Sequence, residues 1–339
     1  MITTDLDSIV TKHARSISLG LRPSGNVHLG NLTTIAIAGL LAGKMNAEMH
    51  LTICDIDMPT VKRGEETSSA VYFKYQKVGN STRARLSAAS INHFTSELSY
   101  ALGIPIRTDF LSDVQAMHPY RTGLSRIIAN TTELSAIFTG IKNHGDKRIP
   151  VHPVCGSCNH TPRAQAIYLA PRALKTRCRN DECSDYNKNR IIDVLDKRTE
   201  LGVHYFVDPM RDVMFTPRAD IHVFGGDYLT PHGTNGMPKV EKVRRITELT
   251  RTKAPAYFVG PLLQGPEQEK MSKSEGPVLT YDQMRASYDG SQPFASYVAH
   301  FAEKILRSGN TRVPYAFITE FFKPTPQEKT ETANLSLSS

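Results

Sequence analysis

The chain has 339 residues, of which 40% are hydrophobic and 22% charged, a composition ordinary for a soluble globular protein. Its formal net charge of +8 fits an anionic partner such as ATP or RNA, and it fits a solvated basic surface without a partner equally well. The chain lacks the run of about 18 apolar residues that a transmembrane helix needs. Its polar, partly acidic beginning does not have the layout of a signal peptide. We therefore expect a cytoplasmic protein without a membrane partner.

Hydrophobic periodicity predicts a strand–helix–strand unit near the start of the chain. A lead-in helix is expected over 1–16, a buried strand over 17–21, a helix over 29–45 and a second strand over 49–53. A strand, a glycine turn, a helix and a strand form the βαβ unit from which parallel nucleotide-binding sheets are built. The rest of the sequence predicts helices over 81–101, 121–141, 189–204, 238–252 and 281–323, strands over 104–110, 219–226 and 256–263, and a loop over 62–68.

These elements predict an α/β protein with a Rossmann-like, doubly wound parallel sheet that is interrupted by an insertion. The predicted units are the first half of the sheet domain (1–110), the insertion (111–204) with a zinc module at 150–188, the second half (205–280), a short helical C-terminal region (281–325) and a disordered tail (326–339).

The segment PSGNVHLGN (23–31) lies in the turn between the first long strand and helix. Gly25 and Gly30 allow the backbone to approach phosphates closely, and the amino end of the following helix would point at them. His28 can donate a hydrogen bond to a triphosphate as charge develops. The same pattern suits a helix cap or an ordinary surface histidine, so the segment alone leaves both interpretations open.

The segment EKMSKS (269–274) carries two lysines, Lys270 and Lys273, around a short flexible stretch. If ATP releases pyrophosphate, mobile ammonium groups that close over the leaving oxygens stabilise the developing negative charge. A solvated basic loop is the alternative for this segment taken alone. Each of the two segments follows a predicted strand, one in each half of the sheet, and this placement favours a functional role for both.

Four of the five cysteines form two close pairs, Cys155 with Cys158 and Cys178 with Cys183. Four thiolates at such spacing suit tetrahedral zinc, and in a reducing compartment the clustering favours a metal over disulfides. A catalytic zinc is not expected, because four cysteines leave no open coordination position. A metal site lost in practice and a redox pair are the alternatives.

Carboxylates follow two predicted strands at the edge where such sheets bind ligands. Asp227 comes after Gly225 and Gly226, where it can hold a ribose hydroxyl, although a plain glycine turn is the alternative. Asp55 and Asp57 follow the second strand, where they can hold the α-amino group of an amino acid or cap the next segment.

The two segments, in this order and placement, resemble the HIGH-like and KMSKS-like signatures of class I aminoacyl-tRNA synthetases. The HxGN variant resembles class I (archaeal-type) lysyl-tRNA synthetase in particular, over roughly residues 15–280. The other local similarities are at 20–25 (GLRPSG), 54–57 (CDID), 209–211 (PMR), 224–227 (FGGD) and in the cysteine module.

This resemblance implies the class I synthetase catalytic fold and the formation of an aminoacyl-adenylate from ATP, with Mg²⁺ on the phosphates and structural zinc in the insertion. It implies lysine or a related basic amino acid as substrate, tRNA as acceptor, and catalytic roles for His28, Lys270 and Lys273. The implied ATP-binding residues are Pro23, Ser24, Gly25, His28, Gly30, Asn31, Gly225, Asp227, Lys270, Met271, Ser272, Lys273 and Ser274. The implied amino-acid-binding residues are Gly20, Arg22, Asp55, Asp57, Asp208 and Tyr228.

Three residues depart from the lysine enzymes around the implied amino-acid pocket. Arg22 stands in place of Thr or Ser, Asp208 in place of Trp, and Tyr228 in place of His. An extra cation near a lysine pocket is unfavourable unless it faces phosphates or a carboxylate. A carboxylate at Asp208 still suits a basic side chain, so lysine is the leading candidate substrate, with arginine-like and other diamino acids as alternatives.

The acceptor is less constrained than the activation step. Only about sixty residues follow EKMSKS, which leaves no room for the family's helical anticodon-binding domain. We therefore expect either recognition of the tRNA acceptor end alone or transfer to a small molecule, a peptide or a carrier. A non-catalytic, synthetase-derived binding protein would tolerate decay of EKMSKS, and no such decay is seen. The cysteine module and the complete EKMSKS segment argue against a general nucleotidylyltransferase. The sequence has no P-loop and no GxGxxG, so it does not support a P-loop kinase or a dinucleotide oxidoreductase.

Overall fold

The protein has an α/β fold. The computed structural model describes residues 2–10, 13–21, 27–55, 72–74, 77–78, 81–130, 133, 151–158, 160–162, 167–170, 172–178, 182–199, 201–203, 219–231, 236–268, 271, 279–288, 290 and 292–322. Its strands are β1 (Ile2–Thr3), β2 (Ser16–Leu21), β3 (Glu48–Ile53), β4 (Tyr72–Lys74), β5 (Lys77–Val78), β6 (Ser81–Thr82), β7 (Ile106–Phe110), β8 (Val151–Pro153), β9 (His160–Pro162), β10 (Ile167–Ala170), β11 (Ala173–Arg177), β12 (Asn189–Asp193), β13 (Leu201–Val203), β14 (Ile221–Phe224), β15 (Ala256–Val259), β16 (Leu262–Leu263) and β17 (Arg312–Val313). Its helices are α1 (Leu6–Val10), α2 (Leu29–Met45), α3 (Arg83–Leu102), α4 (Leu111–Gln115), α5 (His118–Ala129), α6 (Lys239–Leu249), α7 (Tyr281–Ala286), α8 (Phe294–Arg307) and α9 (Tyr315–Phe321).

Six parallel strands form the central sheet, in the order β1-β15-β14-β2-β3-β7. The chain winds outward in one direction through β2, β3 and β7 and in the other through β14 and β15. The winding direction therefore reverses between β2 and β14, and sheets of this topology bind ligands at the carboxyl edge at this point, which is called the crevice below. This topology confirms the Rossmann-like, doubly wound sheet predicted from the sequence.

Helix α2 is the centre of the larger hydrophobic core. Its sequence is rich in Ala, Leu and Ile, and most of its side chains are buried between the sheet and the helices α3 and α8. A methyl group at Gly39 would lie 3.0 Å from side-chain atoms of Leu98 and Leu102, so this glycine allows α3 to pack closely on α2. The helix ends at Asn46, which adopts the left-handed conformation with φ of 52°.

The C-terminal helices α7, α8 and α9 pack on the same face of the sheet as α2 and α3. An aromatic cluster joins α8 to α9, in which Phe301 contacts the rings of Phe317, Phe321 and Phe322. Glu97 of α3 links this group because it forms an ion pair with Arg285 and accepts a hydrogen bond from the amide of Ala295. The predicted helical C-terminal region is therefore part of the core. Within the described ranges, every helix is too short or too polar to cross a membrane.

The insertion packs on the opposite face of the sheet. Side chains of α5 and α6 share a second hydrophobic cluster with Phe224 of β14, Tyr257 of β15, and Leu174 and Leu201 of the insertion. Helices therefore cover both faces of the sheet. The insertion itself contains an antiparallel sheet in the order β10-β11-β12, together with the antiparallel pair β8 and β13.

Two secondary-structure predictions are wrong. The helix predicted over 189–204 is not found, because Asn189–Asp193 forms β12 and Leu201–Val203 forms β13. Strand β12 pairs antiparallel with β11, and its neighbours Ile191 and Ile192 are 72% and 6% exposed. Residues 1–16 do not form one helix, because Ile2–Thr3 pairs with β15 as an edge strand before the short α1. The helix predicted over 121–141 begins earlier, at His118, and residues 134–141 lie outside the described ranges. The predicted loop at 62–68 and the predicted tail at 326–339 also lie outside them.

The guanidinium of Arg121 holds the insertion together. This side chain on α5 is 1% exposed. Its nitrogens donate hydrogen bonds to the carbonyl oxygens of Gln115 (2.6 Å), Val194 (3.2 Å) and Thr199 (2.6 Å). The amide of Gln115 adds a reciprocal pair with the backbone of Leu201. Buried carbonyls need such partners, since leaving them without one costs stability.

We predict that Arg121→Met lowers the free energy of unfolding by about 3 kcal/mol or more, since it leaves buried carbonyls without a donor. Arg126→Met on the exposed side of the same helix is the matched control, with an expected change below about 0.5 kcal/mol. Urea denaturation followed by circular dichroism measures both. Equal midpoints for the two variants would contradict this role of Arg121.

Candidate functional site

Val27 and His28 lead into the first turn of α2. The ring of His28 lies against Gly30, where a methyl group would be 3.1 Å from the ring carbon Cε1. The amide of His28 donates a hydrogen bond to Oδ1 of Asn31, at 3.4 Å. Because Gly30 has no side chain, the imidazole can rest directly on the amino end of α2, the end that favours anions.

The backbone next to the EKMSKS segment is hydrogen-bonded to the backbone around His28. The amide of Leu29 donates to the carbonyl of Leu279 (2.9 Å), and the amide of Tyr281 donates to the carbonyl of Val27 (2.8 Å). His28 and Thr280 form an antiparallel bridge between these two bonds. Met271 is buried, and its amide donates to the carbonyl of Leu263, at 2.9 Å. Met271 and Leu279, which border the segment from 272 to 278, are therefore both fixed by backbone hydrogen bonds.

The turn after β14 lies beside α2. Gly225–Tyr228 enters a short 3₁₀ turn, and a methyl group at Gly226 would overlap the backbone of Pro261 and Leu262. A methyl group at Gly225 would lie 3.0 Å from Oδ1 of Asp227 and 3.5 Å from Oγ1 of Thr34 on α2. The two glycines therefore differ: Gly226 is required by backbone packing, whereas a side chain at Gly225 would crowd only the side chains of Asp227 and Thr34.

A lysine that the sequence interpretation missed meets this turn. Nζ of Lys239, the first residue of α6, lies 3.3 Å from Oδ2 of Asp227 and 5.1 Å from the centroid of the Tyr228 ring. The Tyr228 ring stacks on Phe224, with centroids 4.2 Å apart and an interplanar angle of 12°. The one signal in the sequence was a lysine at the start of a predicted helix, where the helix dipole disfavours a cation.

Asp55 lies at the end of β3 and is buried. Its Oδ1 accepts a hydrogen bond from the amide of Ser112 (2.9 Å), and its Oδ2 accepts one from Oγ of Ser112 (2.7 Å). Ser112 belongs to the first turn of α4, so the carboxylate fixes the start of that helix. This geometry favours the capping alternative for Asp55 over a direct contact with an amino acid.

The structure describes only part of the sequence-predicted site. Gly20 lies inside β2, opposite Thr52 of β3. The predicted residues that lie outside the described ranges are Arg22, Pro23, Ser24, Gly25, Asp57, Asp208, Lys270, Ser272, Lys273 and Ser274.

The four predicted zinc ligands meet at one end of the insertion. The sulfurs of Cys155, Cys158, Cys178 and Cys183 all lie within 4.8 Å of one another. Cys155 and Cys183 are separated by 3.9 Å between sulfurs, and Cys158 and Cys178 by 3.7 Å. A tetrahedral zinc with Zn–S bonds of about 2.3 Å separates its sulfurs by about 3.8 Å. The cluster therefore has the donor set and the spacing of a structural zinc site that is closed to substrate.

The local electrostatics also suit a thiolate ligand. Burial by itself raises the pKa of the Cys155 thiol, but hydrogen bonds from the amides of Cys158 and Ser157 and from neighbouring thiols outweigh it, so the pKa is lowered. Backbone amides that point at a sulfur stabilise its charged form, which is the form that binds zinc.

The chain matches no protein-family model and no curated protein. Among solved structures it is similar to an Archaeoglobus fulgidus tyrosyl-tRNA synthetase complexed with L-tyrosine, with 13% identity and a TM-score of 0.43 over 94% of this chain and 91% of that one. It is also similar to a Leishmania major tyrosyl-tRNA synthetase in complex with tyrosinol, with 15% identity and a TM-score of 0.40 over 83% of this chain and 32% of that one. These values are too low to assign an activity or a substrate.

We predict that Gly226→Ala strongly lowers the free energy of unfolding, because the added methyl group meets backbone atoms that cannot move independently. Gly225→Ala should lower it by less than about 1 kcal/mol, because only a side chain must shift. Thermal denaturation of the two variants checks this difference. If both variants melted at the wild-type temperature, the close approach of Pro261 and Leu262 would not constrain position 226.

We predict that the purified protein contains one zinc ion per chain and that Cys178→Ser lowers the zinc content by at least about tenfold, since zinc binding depends on the full set of thiolates. Elemental analysis by mass spectrometry measures it. Cys54→Ser is the matched control, because Cys54 is buried outside the cluster and should leave the zinc content unchanged. Loss of zinc in both variants, or in neither, would contradict the four-cysteine site.

Proposed function

We propose that this protein uses ATP to activate an amino acid as its adenylate. The supporting observation is the set of backbone hydrogen bonds that joins 27–29 to 279–281. It holds the segment before α2 and the anchors of the EKMSKS segment at one edge of the sheet. Adenylate formation needs both segments at one site, since one contacts the triphosphate and the other the leaving pyrophosphate.

The proposed reaction is an in-line displacement at the α-phosphorus of ATP. A carboxylate oxygen of the amino acid forms the new P–O bond, the bond to the oxygen that bridges the α- and β-phosphorus breaks, and pyrophosphate leaves with the electron pair. The attacking carboxylate is already ionised, so no general base is required. Catalysis then consists of positioning and of stabilising charge on the phosphates.

The proposed residue roles follow the charge that develops. His28 and the amino end of α2 bind the triphosphate, and Lys270 and Lys273 neutralise the leaving pyrophosphate. Mg²⁺, when bound, supplies further neutralisation of the phosphates. On the other side of the crevice, Asp227 and the backbone of Gly225 hold the adenosine ribose. The zinc cluster has a structural role in the insertion.

For the amino acid, we propose lysine or a related basic amino acid as the leading substrate. The support is the sequence resemblance, together with the carboxylate of Asp208 in the segment that would contact the side chain of the substrate amino acid. The bonds between Asp55 and Ser112 leave Asp57 as the better candidate for the α-amino group. Arg22 would then face the phosphates or a carboxylate.

For the acceptor, we propose the 3′ end of tRNA, in a cytoplasmic reaction of the lysine–tRNA ligase type. A ribose hydroxyl of the tRNA attacks the carbonyl carbon of the adenylate, an ester forms, and AMP leaves. The net charge of +8 suits a polyanionic partner. Transfer to a small molecule, a peptide or a carrier uses the same adenylate and is distinguished by experiment.

We predict that ATP–pyrophosphate exchange depends on an amino acid and that Lys273→Ala lowers its rate by at least about 100-fold, since it removes a charge that acts mainly in the transition state. The exchange is measured across the twenty amino acids, with and without tRNA. Lys253→Ala, in an exposed position after α6, is the control and should keep wild-type exchange.

The possible results separate the alternatives. Exchange with lysine and charging of tRNA support the full proposal, whereas exchange without charging points to another acceptor. Wild-type exchange in Lys273→Ala would refute the proposed role of EKMSKS. If no amino acid supported exchange, the activation proposal itself would fail, and a synthetase-derived binding protein would be the remaining interpretation.

A further inference from the structure

We infer that Lys239 is a positioning residue that orients the carboxylate of Asp227 toward the ribose hydroxyls of the nucleotide. The inference rests on the proposed function, because it assigns Asp227 to the ribose. Lys239 belongs to neither of the two signature segments.

The contact between Lys239 and Asp227 is sheltered from solvent. The side chain of Lys239 is 13% exposed and that of Asp227 is 23% exposed, with Nζ and Oδ2 3.3 Å apart. An exposed pair of this length would be screened and would constrain little. In this partly buried position the attraction is stronger, and the aromatic face of Tyr228 holds the ammonium from a second direction.

The frame around this pair is rigid on both sides. Tyr228 is stacked on Phe224, and Oγ1 of Thr230 donates a hydrogen bond to the carbonyl of Asp227, at 2.7 Å. Pro231 and Pro238 form an antiparallel bridge that brings the start of α6 back to the turn. Asp227 and Lys239 are therefore held on two fixed pieces of backbone, so the ammonium can fix the rotation of the carboxylate.

The position of Lys239 goes against the local preferences of a helix. It is the first residue of α6, where the helix dipole disfavours a cation, and Lys242 is buried one turn later. Burial lowers the pKa of Lys242, and the charge of Lys239 lowers it further. Local rules are most often broken where a group serves a site, and here Asp227 is the anion that offsets the positive charge.

The pairing leaves the two carboxylate oxygens with different surroundings. Oδ2 contacts Lys239, while Oδ1 lies close to Gly225, where even a methyl group would be only 3.0 Å away from it. A ribose hydroxyl that approached the carboxylate would donate to Oδ1, and Lys239 would prevent the carboxylate from rotating away. Lys239 thus affects binding of the ribose through Asp227 and does not touch the reacting phosphorus.

The test compares binding of AMP with binding of 2′,3′-dideoxy-AMP by isothermal titration calorimetry. The wild-type protein should prefer AMP. We expect Lys239→Met to weaken AMP binding by about tenfold and the dideoxy analogue by less than about twofold, since only the hydroxyl contacts depend on Asp227. Lys239→Arg, which keeps the charge, should recover most of the preference.

Lys304→Met is the matched control. Lys304 lies on α8, away from Asp227, and its Nζ is 5.3 Å from the centroid of the Phe317 ring on α9. It should bind both nucleotides as the wild type does. Equal weakening of both nucleotides in Lys239→Met, at an unchanged melting temperature, would overturn the inference, as would no weakening of either. So would a wild-type protein that binds both equally. Absence of ATP–pyrophosphate exchange in a wild-type protein that still prefers AMP would instead refute the proposed reaction alone.

Discussion

The hydrogen bonds between the backbone at 27–29 and the backbone at 279–281 are the contact on which the candidate site depends. They use main-chain groups that must find partners once they are buried, so the contact is insensitive to which side chains surround it. One partner is the start of α2, the most buried helix of the larger core. The other is the start of α7, which Glu97 and Arg285 tie to α3. A segment near the beginning of the chain and one near its end are thereby held at the same edge of the sheet.

The turn after β14, which carries Asp227, is held in place by close packing rather than by paired backbone segments. Gly226 lets the turn after β14 lie directly on the backbone that follows β15, and the stacked rings of Phe224 and Tyr228 fix its direction. Asp227 then faces the crevice with Lys239 beside it. In the proposed function, the amino end of a helix would bind the triphosphate, and a carboxylate within a rigid turn would bind the ribose. Groups that are preorganised in this way would bind a nucleotide without reordering the chain.

The insertion contributes a buried hydrogen-bond network and the cysteine cluster, a candidate zinc site. Arg121 on α5 donates hydrogen bonds to three carbonyl oxygens of the insertion. Helix α5 packs with α6 against the second face of the sheet. The cysteine cluster belongs to this unit, and the Cys155–Cys183 and Cys158–Cys178 sulfur separations are close to those around tetrahedral zinc. Its four ligands leave no coordination position for a substrate, so its chemistry is distinct from that of the crevice.

The sequence by itself determined the elements whose hydrophobic pattern is long or flanked by turn residues. The helix over Leu29–Met45 and the strands over Ser16–Leu21 and Glu48–Ile53 lie where the pattern predicts them, and the spacing of the cysteines predicted their cluster. The pattern failed at 189–193, because a short run with two adjacent isoleucines fits a helix and a strand equally well. Its pairing with β11 decided that it is a strand.

Only the tertiary structure decided which distant groups meet. The bond from Leu29 to Leu279, the approach of Gly226 to Leu262, and the contacts of Asp55 with Ser112 and of Asp227 with Lys239 join residues that no local pattern relates. Motifs are readable from sequence because they depend on neighbouring residues. These contacts are not readable in that way, because they depend on how the two halves of the sheet and the helices on its faces pack together.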